Sequence, residues 1–374
     1  MTSSSSTRFE EIIGLLQQRG SLYLLAPSSH LGLLFIPPIL AALRQRVPVL
    51  EIVAVDDLYA RDGRVLPGIH RLLSSHAFAA EAHAGLAAVN FGASPNTWLT
   101  FQSLAGNAGI QAWDLPEMLY ALDIPLVYET GRTTRTLAAQ ASPQLLTLRS
   151  RLADELSRKT LDAIMAMRES GRRDSLLDVL CPAEQEYFSF YRTVQHPIGL
   201  GNDEHYVDIG TYDGDTLRKF LLASRGKYAS INAFEPDPAN FAVLQRNFPE
   251  GKENLVLHNL AASDTNTPLR FSAKGTMGSR VQADGDIHVP SVRLDDILEN
   301  VTLLKMDVEG HEASVLRGAG NLIRACRPRM AITCYHHVRD LLDIVETIDT
   351  LLPDAHLRLR HYSLYFYDTI LYVE

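Results

Sequence analysis

The chain of 374 residues is long enough for two domains, each with its own core. Its net charge of −9 and the lack of a long basic run argue against a nucleic-acid-binding surface. Three scattered cysteines exclude a disulfide framework and a C-x-x-C metal site, so a reducing compartment, the cytoplasm, is expected. The most apolar run, residues 31–43, is too short to span a bilayer and predicts a buried helix.

Residues 1–19 are expected to form a flexible tail and a first helix, because MTSSSST lacks the segments of a targeting signal. From residue 20 to 142, runs of strand length alternate with helical patterns: SLYLLA, VLEIVAVDD, LAAVNFG and IPLVYE. This alternation predicts a Rossmann-like α/β domain with a parallel sheet.

The first domain carries only part of a nucleotide-binding signature. Asp56 and Asp57 end the second run like a ribose-binding acid pair, but the preceding turn, LLAPSSHLG, offers only Gly32. Ser28 and Ser29 could still bind a phosphate. We favour a degenerate domain used for packing, acceptor recognition or homo-oligomerisation.

Residues 143–203 are predicted to be a helical linker. LLTLRSRLADELSRKTLDAIMAMRES repeats apolar residues at helical spacing, and a second helix is expected over SLLDVLCPAEQEYFSFYR, interrupted or started near Pro182.

Strand-like runs resume in residues 204–374 as HYVDIG, SINAFE, LVLHNLA, VTLLKMD and RMAITC. The last segment, HLRLRHYSLYFYDTILYVE, holds two strand-like runs with no room for a helix between them. The predicted fold is therefore α/β, with a C-terminal Rossmann-like sheet that ends in an antiparallel hairpin.

The stretch HYVDIGTYDGD reads as a strand, a glycine turn and a helix that Asp215 begins. Gly210 and Gly214 allow a tight turn, and the N-terminus of the helix suits an anion. The motif lacks one glycine of G-x-G-x-x-G, so alone it does not identify a ligand.

Acidic residues follow the next strands at the same predicted edge of the sheet. Glu235 in AFEPDP suits ribose hydroxyls, and Ser263 and Asp264 in LAASD suit adenine. Asp307 and Glu309 in KMDVEGHE follow the fourth strand. Because carboxyl ends of parallel strands meet at one edge, these side chains are expected to line a single crevice.

Six segments, in this order and spacing, resemble the FkbM family of S-adenosylmethionine-dependent methyltransferases, which have a class I, Rossmann-like fold. They are VDIGTYDGDT, AFEPDPANFAVLQRN, LAASD, VRLDDI, LLKMDVEGHEASVLRGA and RPRMAI. The resemblance covers about residues 204–374. Its most specific part is K-x-D-V-E-G-x-E followed by V-L-x-G-A. At the first turn, the pattern of this family is similar to D-x-G-x-x-x-G and not to G-x-G-x-x-G, which accounts for the glycine that is missing here.

The resemblance implies S-adenosyl-L-methionine as cofactor. The resemblance implies that Asp208, Gly210 and Gly214 hold the methionine end of the cofactor and that Glu235 binds the ribose hydroxyls. It also implies that Asp264, with the backbone of Ala262 or Ser263, flanks adenine. Asp307 and Glu309 border the methyl-transfer site. The full cofactor-binding set expected from these motifs is Asp208, Gly210, Thr211, Gly214, Asp215, Glu235, Pro236, Ala262, Ser263, Asp264 and Asp307.

A base near the attacking oxygen would help a hydroxyl acceptor, and the candidates are Asp307, Glu309, His311 and the pair His336 and His337. We favour one of the two histidines of CYHH. At this place the pattern of the family is similar to E-x-H, and in this chain Cys334 replaces the acid. A metal held by Asp307, Glu309 and a histidine is an alternative without supporting spacing, so no metal site is predicted.

The loop KGTMGSRVQADGD, residues 274–286, suits a flap over the substrate or a solvated surface loop, and Met277, Ser279 and Arg280 could contact an acceptor. The expected activity is O-methylation of a hydroxyl on a sugar, glycan or specialised metabolite. N-methylation of an amino sugar and a non-catalytic nucleotide-binding scaffold are the alternatives.

Overall fold

The structure is a computed structural model that describes residues 3–64, 66–189, 196–249, 254–276 and 278–374, with side chains from residue 9 onward. The chain divides into two compact units. Unit 1 comprises Met1–Gln140, Asp162–Leu180 and Ser363–Phe366, and unit 2 comprises Ala141–Leu161, Cys181–Tyr362 and Tyr367–Glu374. The expected linker, residues 143–203, is thus divided between the two units.

Unit 1 contains a parallel sheet of five strands in the order β3-β2-β1-β4-β5. These strands are β1 Ser21–Leu25, β2 Glu51–Val55, β3 Arg71–Leu73, β4 Ala87–Asn90 and β5 Gln111–Asp114. The predicted strand at IPLVYE is wrong. Pro125 has no amide N–H for a ladder, and it makes only an isolated bridge to Thr130.

Helices precede, connect and follow the strands of unit 1: α1 Ser3–Arg19, α2 His30–Arg44, α3 Asp57–Asp62, α4 Ser75–Glu81, α5 Pro95–Asn107 and α6 Leu115–Ala121. Helix α1 begins within the stretch expected to be a tail. Helix α2 confirms the helix predicted at the apolar run, but it is buried on one face only, since Leu33 and Leu34 are exposed.

The helical region differs from its prediction in two places. The long pattern forms two helices, α7 Gly131–Arg151 and α8 Glu155–Ser170, because Asp154 accepts a hydrogen bond from the Ser157 amide and starts a new helix. The helix expected around Pro182 is wrong. The 3₁₀ turns Asp174–Val179 and Ala183–Gln185 replace it on either side of that proline, and residues 190–195 lie outside the described chain.

Unit 2 contains a sheet of seven strands in the order β16-β17-β15-β14-β6-β7-β8. Five strands are parallel, and β17 pairs antiparallel with both β15 and β16, which confirms the predicted fold class and hairpin. Their bounds are β6 His205–Ile209, β7 Ser230–Phe234, β8 Leu255–His258, β14 Leu303–Met306, β15 Arg329–Thr333, β16 Leu357–His361 and β17 Thr369–Val373.

Helices flank this sheet, and two small sheets follow β8. The helices are α9 Asp215–Ala223, α10 Pro238–Asn247, α11 Glu312–Gly318, α12 Gly320–Cys326 and α13 Asp340–Leu351, with a 3₁₀ turn at Leu294–Asp296. The small sheets contain β9 Ala261–Ala262, β10 Leu269–Ser272, β11 Arg280–Val281, β12 Ile287–Val289 and β13 Ser291–Val292.

Aromatic packing fixes α9 against the sheet. The rings of Tyr206 on β6 and Phe220 on α9 stack with centroids 4.2 Å apart, and Phe188 meets both edge-on. The turn between β6 and α9 is therefore held from both sides. Among the described helices, none has the length and apolar character needed to cross a membrane.

Candidate functional site

A cavity of about 720 Å³ lies within unit 2. It is lined at the carboxyl ends of β6, β7, β14 and β15, where the strand order changes direction between β6 and β14. Such a switch point is the usual ligand position in an open α/β sheet. Of the predicted site residues, the cavity is lined by Gly210, Asp215, Glu235, Pro236, Ala262, Asp307 and Glu309.

The turn after β6 needs glycine at two positions for different reasons. Gly210 has φ +75°, and a Cβ there would overlap the backbone carbonyl oxygen of Asp307, so this glycine brings the β6 and β14 ends together. Gly214 has φ +90° and begins α9, and a Cβ there would overlap the Phe248 ring. Gly214 thus supports the turn from behind and does not line the cavity.

Asp208 lies inside the sheet and not at the cavity lining, contrary to its predicted contact with a cofactor. Its Oδ1 is 3.1 Å from Nζ of Lys305, which also donates to the Gly210 carbonyl at 2.8 Å. Thr211 is also buried and donates its hydroxyl to the Asp208 carbonyl. These residues hold the turn in position, and Lys305, which sequence reasoning missed, is the link between them.

Glu235 is placed as predicted, at the end of β7 and on the cavity lining. Its Oε2 accepts from the Tyr212 amide and its Oε1 from the Asp237 amide, both at 2.9 Å. Burial raises the pKa of Glu235 to about 7, and these two amide donors oppose that rise. The carboxylate is therefore fixed in orientation at a place where ligand hydroxyls can reach it.

The third strand contributes less than predicted. Ala262 lines the cavity, but the Ser263 hydroxyl lies 2.9 Å from Nε2 of His311. Asp264 is paired with Arg317 at 3.0 Å and does not line the cavity. Flat apolar surface is supplied instead by Phe234, Pro236, Ala261 and Phe271.

His336 lies in a group of carboxylates and is itself buried. Its Nε2 is 3.5 Å from Asp307 and from Glu309, and its Nδ1 is 3.4 Å from Glu312. Burial alone would lower the pKa of His336, but Glu312, Glu309 and Asp307 raise it to about 10. An imidazolium with carboxylates at both nitrogens has no lone pair to accept a proton, so this geometry does not favour the predicted base role.

His337 is likewise absent from the cavity lining. Its backbone amide donates to Asp340 at 2.6 Å, and its ring packs against Gly310. The predicted histidine pair therefore does not face the cavity, whereas the predicted carboxylates Asp307 and Glu309 do.

Sequence reasoning missed the opposite wall, formed by Glu186, Tyr187, Tyr335, Tyr367 and Asp368. The Tyr187 hydroxyl donates to Asp307 at 3.1 Å. The Glu186 carboxyl has a pKa raised to about 8 by burial, then by Asp368. No local motif marks Glu186 and Tyr187, which precede β6, or Tyr367 and Asp368, which lie in the hairpin turn, whereas Tyr335 follows β15 beside the histidine pair.

Four side chains at the cavity stand on strained backbone. Tyr187, Tyr212, Glu309 and Asp368 have φ between +52° and +66°, a region that side chains other than glycine rarely adopt. Strained residues concentrate at ligand sites, where the surrounding structure holds them. Together with the lining, this identifies the cavity as the candidate site.

The loop of residues 274–286 borders the same cavity through Thr276, Ser279 and Arg280. It is tied down by Asp237, whose Oδ2 accepts from the Gly275 amide and the Ser279 hydroxyl. Met277, a predicted acceptor contact, lies outside the described residues.

In unit 1 the predicted nucleotide-binding groups are engaged within the unit. Asp56 accepts from the Ser28 and Tyr59 amides, and Asp57 accepts from Ser75. Ser29 donates to the Phe91 carbonyl, between the ends of β1 and β4.

Residues 208–358 match the family model of the methyltransferase FkbM domain. This confirms the resemblance found in the motifs, and we assign this part of the chain to that domain family.

Two curated proteins show similarity over part of their length. The hexuronic acid methyltransferase AglP of Haloferax volcanii is 27% identical over 107 residues, covering 26% of this chain and 44% of that protein. Methyltransferase 1 of Beauveria bassiana is 29% identical over 152 residues, covering 31% of this chain and 59% of that protein. The matches thus span about half the length of these relatives.

The crystal structure of methyltransferase FkbM from Methylobacillus flagellatus KT is similar over nearly the whole chain. It gives a TM-score of 0.75 at 24% identity and covers 97% of this chain and 93% of that one. At this identity the likeness shows a shared fold, including that of unit 1.

Proposed function

We propose that this protein is an S-adenosylmethionine-dependent O-methyltransferase acting on a hydroxyl of a sugar, a glycan or a specialised metabolite. One observation carries the proposal. In an FkbM domain, the oriented Glu235 carboxylate and the Gly210 turn border one cavity of about 720 Å³. That volume is within the range of small-molecule sites.

The lining suggests how the cofactor would bind. The N-terminus of α9 suits the methionine carboxylate, and Glu235 suits the ribose hydroxyls. Phe234, Pro236 and Ala262 offer an apolar surface for adenine. This proposal assigns adenine to those side chains and not to Asp264, which pairs with Arg317.

In the transfer step, an acceptor oxygen forms a bond to the methyl carbon while the carbon–sulfur bond breaks and sulfur leaves as a neutral thioether. In-line positioning of the two reactants accounts for most of the expected acceleration. The hydroxyl proton needs an acceptor, and Glu186 suits this role better than His336. Glu186 lines the cavity and has a pKa of about 8, so it is able to exchange a proton near neutral pH.

A second candidate, N-methylation of an amino sugar, is favoured by the excess of acidic groups at this end of the cavity. Asp307, Glu309 and Asp368 would attract an ammonium group. The similarity to a hexuronic acid methyltransferase supports a sugar acceptor for either reaction, without distinguishing them.

The test is methyl transfer from labelled S-adenosylmethionine to two acceptor panels, hexuronic acids and amino sugars. O-methylation predicts transfer to the first panel and a kcat reduced by about 10²- to 10⁴-fold in Glu186→Gln. The matched control Glu299→Gln, at an exposed position, should keep the wild-type rate.

If methyl transfer occurs only to amino sugars, at a rate that Glu186→Gln changes little, the reaction is N-methylation and not O-methylation. No transfer to any acceptor and no cofactor binding would leave the scaffold alternative. Homo-oligomerisation through unit 1 and a cytoplasmic location stay predictions from the sequence.

A further inference from the structure

The carboxylates around His336 form a compact cluster of metal-ligand type beside the cavity. Asp307, Glu312 and His336 each offer one ligand atom, and the three atoms lie within 4.8 Å of one another. Asp307 and Glu309 line the cavity, while Glu312 and His336 are buried behind them. A cation held here would therefore have one side toward the acceptor end of the cavity.

The spacing within the cluster is compatible with a bound cation. Nε2 of His336 is 3.5 Å from Asp307 and from Glu309, whereas Nδ1 is 3.4 Å from Glu312, and an ion would bind only one of these nitrogens. Charge-assisted hydrogen bonds are shorter, about 2.7–2.9 Å. With metal–ligand distances of about 2.1 Å, neighbouring ligand atoms are about 3.0 Å apart in an octahedron and about 3.4 Å apart in a tetrahedron.

The carboxylates of the cluster are held in place by surrounding donors, as is common around metal sites. Oε1 of Glu312 accepts from the amides of Val308 and Gly310 and from the Thr333 hydroxyl. The same hydroxyl lies 3.2 Å from Oδ1 of Asp307, and the Tyr187 hydroxyl donates to its Oδ2.

The charge balance also favours a cation. Three carboxylates, from Asp307, Glu309 and Glu312, surround one imidazole. The nearby Lys305 is paired with Asp208 at 3.1 Å and also interacts with Asp307, so its single positive charge is shared between these two carboxylates. A buried excess of negative charge is costly unless positive charge compensates it.

We propose that Asp307, Glu312 and His336 form a binding site for a first-row divalent cation, with Glu309 as a further carboxylate on its cavity side. One imidazole and two carboxylates suit Mn²⁺, Fe²⁺, Co²⁺ or Zn²⁺ better than Mg²⁺ or Ca²⁺, which prefer oxygen alone. Cation binding through an imidazole nitrogen releases the proton that this nitrogen carries.

The site's role in catalysis rests on the proposed function, but its existence does not. A cation between Asp307 and the acceptor would lower the pKa of the acceptor hydroxyl and position its oxygen. The hydroxyl proton would still pass to Glu186 or to water.

The test uses the full chain with saturating S-adenosylhomocysteine and a titration with Mn²⁺, whose free form is measured by electron paramagnetic resonance. We expect one Mn²⁺ per chain. His336→Asn and Asp307→Asn should each weaken binding by at least about 10- to 100-fold. The matched controls His337→Asn and Glu346→Gln should bind as the wild type does.

Circular dichroism and S-adenosylhomocysteine affinity in the same samples check that each variant is folded. If His336→Asn fails to fold, Asp307→Asn and Glu309→Gln, both at the cavity, decide the question. No Mn²⁺ binding at millimolar concentration, or equal binding by wild type and these variants, would overturn the proposal. If the chain binds S-adenosylhomocysteine but not Mn²⁺, only the metal-site proposal is contradicted. If it binds Mn²⁺ but not S-adenosylhomocysteine, only the cofactor proposal is contradicted.

Discussion

Units 1 and 2 each contain a sheet in which the order of the parallel strands reverses, but the units differ at the carboxyl ends of these strands. In unit 1 this edge is filled. The side chain of Arg173 is 0% exposed and bonds Asp114 together with the carbonyls of Asn90, Gly92 and Leu364. In unit 2 the corresponding edge borders a cavity, and the acidic side chains after the strands line it.

The difference shows that strand-end acids do not by themselves make a ligand site. Asp56 ends β2 and Glu235 ends β7, and the sequence context of the two is similar. Asp56 serves as the N-cap of α3 and accepts from Ser28. Glu235 is instead held by Tyr212 and Asp237 with the cavity beside it. An acid at a strand end is available to a ligand only where open space lies beside its carboxylate, as it does at Glu235.

The largest expected effect breaks the filled edge of unit 1. Arg173→Met should reduce the free energy of unfolding by about 3–5 kcal/mol, because Asp114 would be left as a buried charge without compensation. The matched control is Arg172→Met, at a half-exposed neighbour, which should change stability by less than about 0.5 kcal/mol. Guanidinium denaturation measures both. Equal effects would show that Arg173 is not the residue that closes this edge.

The open edge predicts a pH dependence of stability. The folded-state pKa of Glu235 is about 7, above its ordinary value of 4.5, so its ionised form is disfavoured in the folded protein. Its stabilising contribution is fully present below pH 4.5 and lost as pH rises through 7, by about 3 kcal/mol in total. Unfolding of the apoprotein, compared with that of Glu235→Gln, should show this loss only in the wild type. Parallel pH profiles would contradict the assignment.

A third prediction concerns the glycine behind the cavity. Gly214→Ala should cost about 2–3 kcal/mol of stability, because the new methyl group overlaps Phe248 and the backbone has φ +90°. Gly226→Ala, with φ +69° and open space around it, should cost about 1 kcal/mol. Thermal unfolding of the two variants separates overlap from backbone strain, and an equal loss would mean that strain alone matters.

The smallest effect returns to unit 1. Asp56→Ala should cost about 1 kcal/mol through loss of the α3 cap and leave cofactor affinity unchanged. Urea unfolding gives the first quantity and calorimetry the second. Reduced affinity for S-adenosylhomocysteine would show that the acid of unit 1 takes part in cofactor binding after all.

Features encoded in contiguous sequence were the ones predicted well. The period of apolar residues identified β6, β7, β14 and β15, and the residues directly after these strands, such as Glu235 and Asp307, do line the cavity. The prediction of a strand at IPLVYE was wrong because it gave the apolar residues more weight than Pro125, which has no amide N–H to complete a strand ladder.

The remainder depends on contacts between distant parts of the chain. Asp208 was expected at the cofactor, but it lies within β6 and not after it, and Lys305 from β14 pairs with it. Glu186 and Asp368 reach the cavity from segments that have no motif. Likewise, only the folded chain shows Glu309 and Glu312 beside His336, which changes that residue from a candidate base to a buried cation or a metal ligand.

The central claim is that the cavity of unit 2 binds S-adenosylmethionine through Glu235. Calorimetric titration of the full chain with S-adenosylhomocysteine tests it most directly. We expect one site per chain, weakened by about 10- to 100-fold in Glu235→Ala, since two hydrogen bonds to a carboxylate are lost. Absence of binding, or the same affinity in wild type and Glu235→Ala, would contradict it.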